Sequence, residues 1–172
     1  MRLLFEMDAK DHAGCIRTYR RDSARAVIIE GGRAAMVHSL KYDYYKFPGG
    51  GILPGESPVD AMVRETGEEA GLAVDRASVK EYGLVRRVQK SAYDPDERFE
   101  QDNLYYLCSA CGETPRDLDE YEEEERFTLE YVDPAEAIRV DRRDGLVPSV
   151  RTMAEREARV LELLMNEGLF SK

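Results

Sequence analysis

Apolar residues recur along this chain in two rhythms. Short apolar runs at 26–29 (Ala-Val-Ile-Ile) and 34–37 (Ala-Ala-Met-Val) flank Glu30-Gly31-Gly32-Arg33. That spacing predicts two strands joined as a hairpin by a tight glycine turn. Residues 83–89 and 103–109 are rich in β-branched and aromatic side chains and predict two further strands, with the polar stretch 91–102 as a loop between them. Residues 127–132 (Phe-Thr-Leu-Glu-Tyr-Val) predict another strand. The second rhythm has a spacing of three and four. It is clearest from about residue 149, where Val150, Met153, Ala154, Ala158, Leu161, Leu164 and Met165 share one helical face up to Gly168.

Two helix starts carry the same local signal. Ser57-Pro58 with Asp60, and Asp133-Pro134 with Glu136, each place a capping side chain, then proline, then an acid three residues after the cap. The first helix is expected to run to about Ala70 and to close at Gly71, where a left-handed residue commonly ends the last turn. Strands, helix, strands and helix again predict a mixed α/β domain with helices flanking a mixed sheet. No repeat, Ser/Pro-rich linker or low-complexity tract divides the 172 residues, apart from the acidic run 119–125, so one domain over 1–172 is expected.

Charge changes the picture. The formal net charge is −10, with 25 basic and 35 acidic residues, and it is concentrated in two places. Residues 50–72 carry −4 and residues 113–125 carry −7, so the rest of the chain is nearly neutral. Such a balance repels nucleic-acid phosphates, which excludes DNA and disfavours RNA as partners. The longest apolar runs fall far short of the roughly 20 residues needed to cross a membrane, so no membrane partner is expected. Three cysteines do not make a disulfide framework, and the start Met1-Arg2-Leu3-Leu4-Phe5-Glu6 lacks a signal-peptide core. The expected compartment is the cytoplasm.

Candidate chemistry lies in the smaller acidic segment. On the predicted helix Val59, Met62, Val63, Thr66 and Ala70 share the core side, whereas Glu65, Glu68 and Glu69 lie three and four apart on another. Neighbours at that spacing have β-carbons about 5–6 Å apart, so three carboxylates converge without a lysine between them. A solvated acidic face is the ordinary outcome for such a cluster. Two features oppose it here: the acids fall near the negative end of the helix dipole, and a glycine-rich loop precedes the helix. A hard divalent cation offsets carboxylate crowding, since Mg²⁺ and Mn²⁺ prefer oxygen ligands.

The stretch 50–72 resembles the signature of the Nudix hydrolase superfamily (MutT-like), G-x5-E-x7-R-E-U-x-E-E-x-G-U with U aliphatic. Gly50, Glu56, Arg64, Glu65, Glu68, Glu69, Gly71 and Leu72 match it, and Thr66 alone departs. The resemblance implies an αβα sandwich. It also implies Mg²⁺-dependent hydrolysis (Mn²⁺ substituting) of a diphosphate bond in a nucleoside diphosphate linked to another group. The cation would neutralise the diphosphate and lower the pKa of a bound water. By position, Glu65, Glu68 and Glu69 would hold the metal with the Gly50 carbonyl, Glu56 would act through water or orient its neighbours, and Arg64 would hold the glutamates by ion pairing. A general base or extra ligand would come from the signature or from a later loop, where Glu97, Glu100 and Asp102 are the candidates. Replacing Glu69 by Gln is expected to spare the fold, because a crowded surface loses one charge. The other function weighed is a sensor of the same fold that binds a nucleotide or ADP-ribose derivative without cleaving it. The expected partner is a small nucleotide-type substrate, and dimers are common in such families.

The remaining features have plainer readings. The acidic run 113–125 shows no glycine loop, no helix cap and no regular ligand spacing, and is expected to be a solvated loop or disordered edge. Cys108 and Cys111 lack the second ligand pair that zinc needs. Tyr42, Tyr44, Tyr45 and Phe47 are expected to pack, and Arg17, Arg20, Arg21 and Arg25 either meet phosphate or balance acids.

Overall fold

Side chains that alternate along a strand face opposite ways, and here each set has its own core. Ala24, Ala26 and Ile28 join Met62 and Ala70 in one apolar cluster, while Val27 between them joins Val160, Leu161 and Leu164 in another. The same split takes Ala35 and Val37 to the first cluster and Ala34 and Met36 to the second. Two covered faces require helices on both sides of the sheets, which is the αβα arrangement expected.

The computed structural model describes residues 1–171. In chain order the elements are β1 (Leu3–Asp8), β2 (Arg17–Arg20), β3 (Ser23–Val27), β4 (Ile29–Glu30), β5 (Arg33–Ser39), β6 (Tyr44–Lys46) and β7 (Gly49–Gly51). There follow α1 (Pro58–Ala70), β8 (Leu72–Lys90), β9 (Glu97–Glu113), α2 (Glu120–Glu125), β10 (Phe127–Val132), α3 (Pro134–Asp141) and α4 (Pro148–Asn166). A mixed six-stranded sheet runs β1-β8-β9-β3-β7, with β2 also paired to β9. A four-stranded sheet runs β10-β5-β4, with β6 on β5. Among the described residues no helix is long and apolar enough to cross a membrane.

Local signals set the helix ends. Ser57 Oγ accepts from the Asp60 N–H at 3.1 Å, Pro58 opens α1, and Gly71 closes it at φ +69°. Asp133 accepts from the N–H groups of Ala135 and Glu136 and so caps α3. Thr66, the one departure from the signature, is fully buried, and its hydroxyl donates to the Met62 carbonyl at 2.6 Å. The polar atom is thereby satisfied within the helix.

Three expectations change. Only the first half of the stretch 91–102 is a loop: 91–96 turn, whereas 97–102 belong to β9, which pairs with β8 from Arg98 opposite Lys90. Its polar side chains are those of a strand whose outer half is flanked by β2, with Arg17 opposite Glu97. The expected hairpin is divided between sheets: β4 pairs with β5, but β3 pairs with β7 and β9 instead. The acidic run 113–125 contains the helix α2, in which the Asp119 N–H donates to Glu122 Oε2 at 2.9 Å, half of a capping box.

Asp141, at the end of α3, is buried. Its Oδ1 accepts the Tyr45 N–H at 2.8 Å and its Oδ2 has no partner. Burial pushes this carboxyl up to about 8. An unfolded Asp ionises near 3.9, so between about pH 4 and about pH 8 the unfolded chain binds fewer protons than the folded one. Stability contributed by the protonated form is therefore complete at the acid end of that window. It is lost as pH rises through it, on the order of 1 kcal/mol per unit. Asp141→Asn keeps the acceptor for Tyr45 and should flatten the slope, read as urea midpoints at several pH values across the window. An unchanged slope would show that Asp141 is ionised in the folded chain.

Candidate active site

Helix α1 and strand β7 lie side by side, and the Glu65 carboxylate fills the space that a side chain at position 50 would take. A Cβ on Gly50 would stand 2.4 Å from the Glu65 carboxyl carbon, so only glycine lets that carboxylate rest against the strand. Burial pushes the Glu65 carboxyl up, against the opposing pull of Arg64. The glutamates thus meet the backbone that precedes the helix, although they are far from it along the helix.

Arg64 ties the acids together. Its guanidinium reaches Glu56 Oε1 at 2.9 Å and Oε2 at 3.1 Å, Glu65 Oε1 at 2.9 Å and Glu68 Oε2 at 2.9 Å, and it also donates to the Gly51 carbonyl at 3.2 Å. The bond from Arg64 holds the Glu56 carboxyl below the usual range. Glu56 Oε2 in turn accepts the Leu53 N–H at 3.0 Å, which fixes the turn before the helix.

Glu69 faces inward, not to solvent. It is 1% exposed, ion-paired with Lys46 (6% exposed), and accepts the Gly49 N–H at 3.0 Å. Neutralising it would strand a buried lysine, which corrects the expectation that Glu69→Gln is structurally silent. Arg116 donates from Nε to the Glu69 carbonyl at 3.0 Å, a cation at the negative end of α1 where the helix has none of its own.

The larger acidic segment folds back onto this helix. The Asp117 N–H donates to the Glu68 carbonyl at 3.0 Å. Glu65, Glu68, Asp117, Asp119 and Glu122 then line one cleft of about 260 Å³ with Arg64 and Leu53. Glu122 is 3% exposed, and burial, with the nearby charge of Glu69, pushes its carboxyl up. Most acids of the run are exposed, as expected of solvated surface; the exception is Glu122, which is buried, and with Asp117 and Asp119 it borders the cleft. The spacing Asp119-x-x-Glu122 was a readable helix-start signal within it; Lys46 left no signal.

The other candidates lie apart from these contacts. Glu97, Glu100 and Asp102 stand on β9, not on a loop. Glu100 meets Arg98 at 2.7 Å, and Asp102 meets Arg86 at 2.9 Å and Arg20 at 2.6 Å, which holds the Asp102 carboxyl below its usual range. A carboxyl so held is a weak base. Tyr44, Tyr45 and Phe47 are buried packing groups. Burial pushes the free Cys108 thiol up to about 12. Among the described residues no three His, Cys, Asp or Glu side chains surround one point as metal ligands, because the carboxylates turn to Arg64 and Lys46. The donor set itself is all hard oxygen, in a recess that glycine keeps open, and so fits Mg²⁺ or Mn²⁺.

The model of the NUDIX domain matches residues 19–155. An RNA pyrophosphohydrolase of Legionella pneumophila (strain Corby) is 35% identical over 77 residues, covering 45% of this chain and 41% of that relative. The chain thus matches about two-fifths of that curated relative's length. Among solved structures, a MutT NUDIX hydrolase from Burkholderia pseudomallei aligns with TM-score 0.52 at 20% identity, over 80% of this chain and 97% of that one. A NUDIX hydrolase from Nitrosomonas europaea aligns with TM-score 0.53 at 18% identity, over 81% and 91%. At these identities the structures speak to the fold, and the domain match speaks to descent: the chain belongs to the NUDIX family.

Proposed function

We propose that the protein is a divalent-metal-dependent pyrophosphohydrolase that cleaves a phosphoanhydride bond in a small nucleotide derivative. The observation that carries this reading is that Glu65, Glu68 and Glu122 line one cleft, with Glu65 against Gly50 and Arg64 paired to Glu65 and Glu68. Glu65, Glu68 and Glu69 would hold Mg²⁺ or Mn²⁺ with the Gly50 carbonyl. When bound, the cation supplies charge neutralisation of the diphosphate and activation of water.

The chain's own groups divide the remaining work. Arg64 keeps Glu56, Glu65 and Glu68 in fixed positions, so little reorganisation is needed when substrate arrives. Glu122, buried beside Glu69, is the acid best placed to take a proton or to add a carboxylate to the cluster. It takes precedence over Glu97, Glu100 and Asp102. The sensor alternative is disfavoured by this complete set of acids. The curated relatives named RNA pyrophosphohydrolase bring RNA with a 5′ triphosphate into consideration, although the −10 charge works against it.

The decisive assay offers nucleoside triphosphates, nucleotide sugars, dinucleotide polyphosphates and 5′-triphosphorylated RNA with Mg²⁺ or Mn²⁺. Metal-dependent turnover of at least one is expected, and none at all would refute the hydrolase. Glu65→Gln, which spares the buried Lys46 pair, should lower kcat/KM by at least about 100-fold at unchanged melting temperature. Gly50→Ala should displace the Glu65 carboxylate and weaken Mn²⁺ binding measured by electron paramagnetic resonance, with the circular dichroism spectrum preserved. Wild-type Mn²⁺ affinity in Gly50→Ala would remove Glu65 from the ligand set.

A further inference from the structure

A second concavity adjoins the acidic cleft on the other side of the turn that leads into α1. It has a volume of about 660 Å³, and its walls include Tyr19, Arg21, Ile52, Leu53 and Pro54, together with Asp22 and Glu56, whose carboxylates are taken up by Arg20 and Arg64. Leu53 belongs to both: it borders the acidic cleft and the groove, and it is 54% exposed. A ligand lying across Leu53 therefore has one end among the acids and the other in the groove.

The groove's chemistry is unlike that of the cleft. Tyr19 is 48% exposed and leans on Phe99, with ring centroids 6.0 Å apart, so its position is supported while much of its surface stays open. Ile52, Leu53 and Pro54 add apolar surface. Arg21 is the exception among the arginines of its stretch. Arg17 pairs with Asp94, Arg20 with Asp22 and Asp102, and Arg25 with Glu157, whereas Arg21 makes no ion pair among the described residues. Its guanidinium instead folds over β7, where a Cβ on Gly51 would stand 2.9 Å from Nη2. In a chain with ten more acids than bases, an arginine left unpaired beside the glycine strand is an open anion site with all its donors available.

An open aromatic face, an apolar ledge and one free guanidinium together match a nucleoside 5′-phosphate: a flat base, and a phosphate that accepts a forked donor. We propose that this groove holds the nucleoside-monophosphate half of the substrate, the base against Tyr19 and Leu53 and its phosphate on Arg21, while the scissile bond lies over the acidic cleft. This rests on the hydrolase reading for the orientation of the substrate, but not for the binding itself. Tyr19 and Arg21 would thus set substrate preference without taking part in bond cleavage.

The test separates the two readings. Calorimetric titration in EDTA of the wild type, Tyr19→Ala and Arg21→Met with AMP, GMP, CMP and UMP reads the groove alone. Mn²⁺ binding and substrate turnover read the acidic cleft. Wild type should bind at least one nucleoside monophosphate without metal. Each variant should weaken that binding about tenfold, the scale of one base stack or one charged contact. Both should raise KM with kcat and Mn²⁺ affinity unchanged, and Arg21→Met should also bind nucleoside and nucleoside monophosphate equally. Both side chains are exposed, so the fold should tolerate their loss. Wild-type affinity in the two variants, or no binding by the wild type up to about 10 mM, would overturn the groove assignment. Absent turnover with the binding pattern intact would instead overturn the hydrolase and leave the groove standing.

Discussion

Arg25 has its guanidinium buried between two carbonyls, those of Phe47 and Gly49, each 3.1 Å from Nη1. Glu157 of α4 stands 3.6 Å behind it and also receives Arg156, whose Nη1 donates to Asn103 at 2.6 Å. Burying three charged groups is costly, and it is offset by these bonds, with Arg25 Nε left without a hydrogen-bond partner. What the network fixes is the backbone of residues 47–49 against β3. From that backbone follow the Gly49 N–H on Glu69, the Gly50 recess for Glu65 and the Gly51 carbonyl on Arg64. The chemistry on one face of the sheet is thus set in place by a polar clamp on the other.

Much of this was legible where the signal is local. The limits of α1 follow from Ser57, Pro58 and Gly71, and the spacing of Glu65, Glu68 and Glu69 follows from helical geometry alone. Non-local pairing was not legible. The strand across Glu97 and Asp102 looks polar because its partners, Arg17, Arg20 and Arg86, are polar as well, and no local pattern separates a charged strand from a loop. Lys46 is a lysine among aromatic residues; that it meets Glu69 is a long-range contact that no local pattern announces. Arg25 carries no mark in the sequence that distinguishes it from Arg21, yet one is a buried clamp and the other an open donor.

The two acidic segments illustrate the same limit. By net charge they looked independent, and the larger one looked like surface. The fold joins them, because Arg116 holds the end of α1 and draws residues 117–122 alongside it. Acids that repel one another are brought together by the guanidinium of Arg64, the ammonium of Lys46 and the backbone bond from Asp117 to the Glu68 carbonyl. Burial is the main reason that the carboxyls of Glu65 and Glu122 are pushed up, with the nearby acids adding to it.

Lys46 and Arg64 have a consequence for how the protein is made. Because the chain supplies its own counter-ions to Glu69 and to the Glu56, Glu65 and Glu68 group, the acidic helix does not wait for an external cation before it can pack. Packing of this helix is therefore supported by the chain's own cations, unlike small domains in which a metal ion is the core. On the proposed reading, a cation would take its place by exchange with Arg64 and Lys46 at carboxylates already held by the fold.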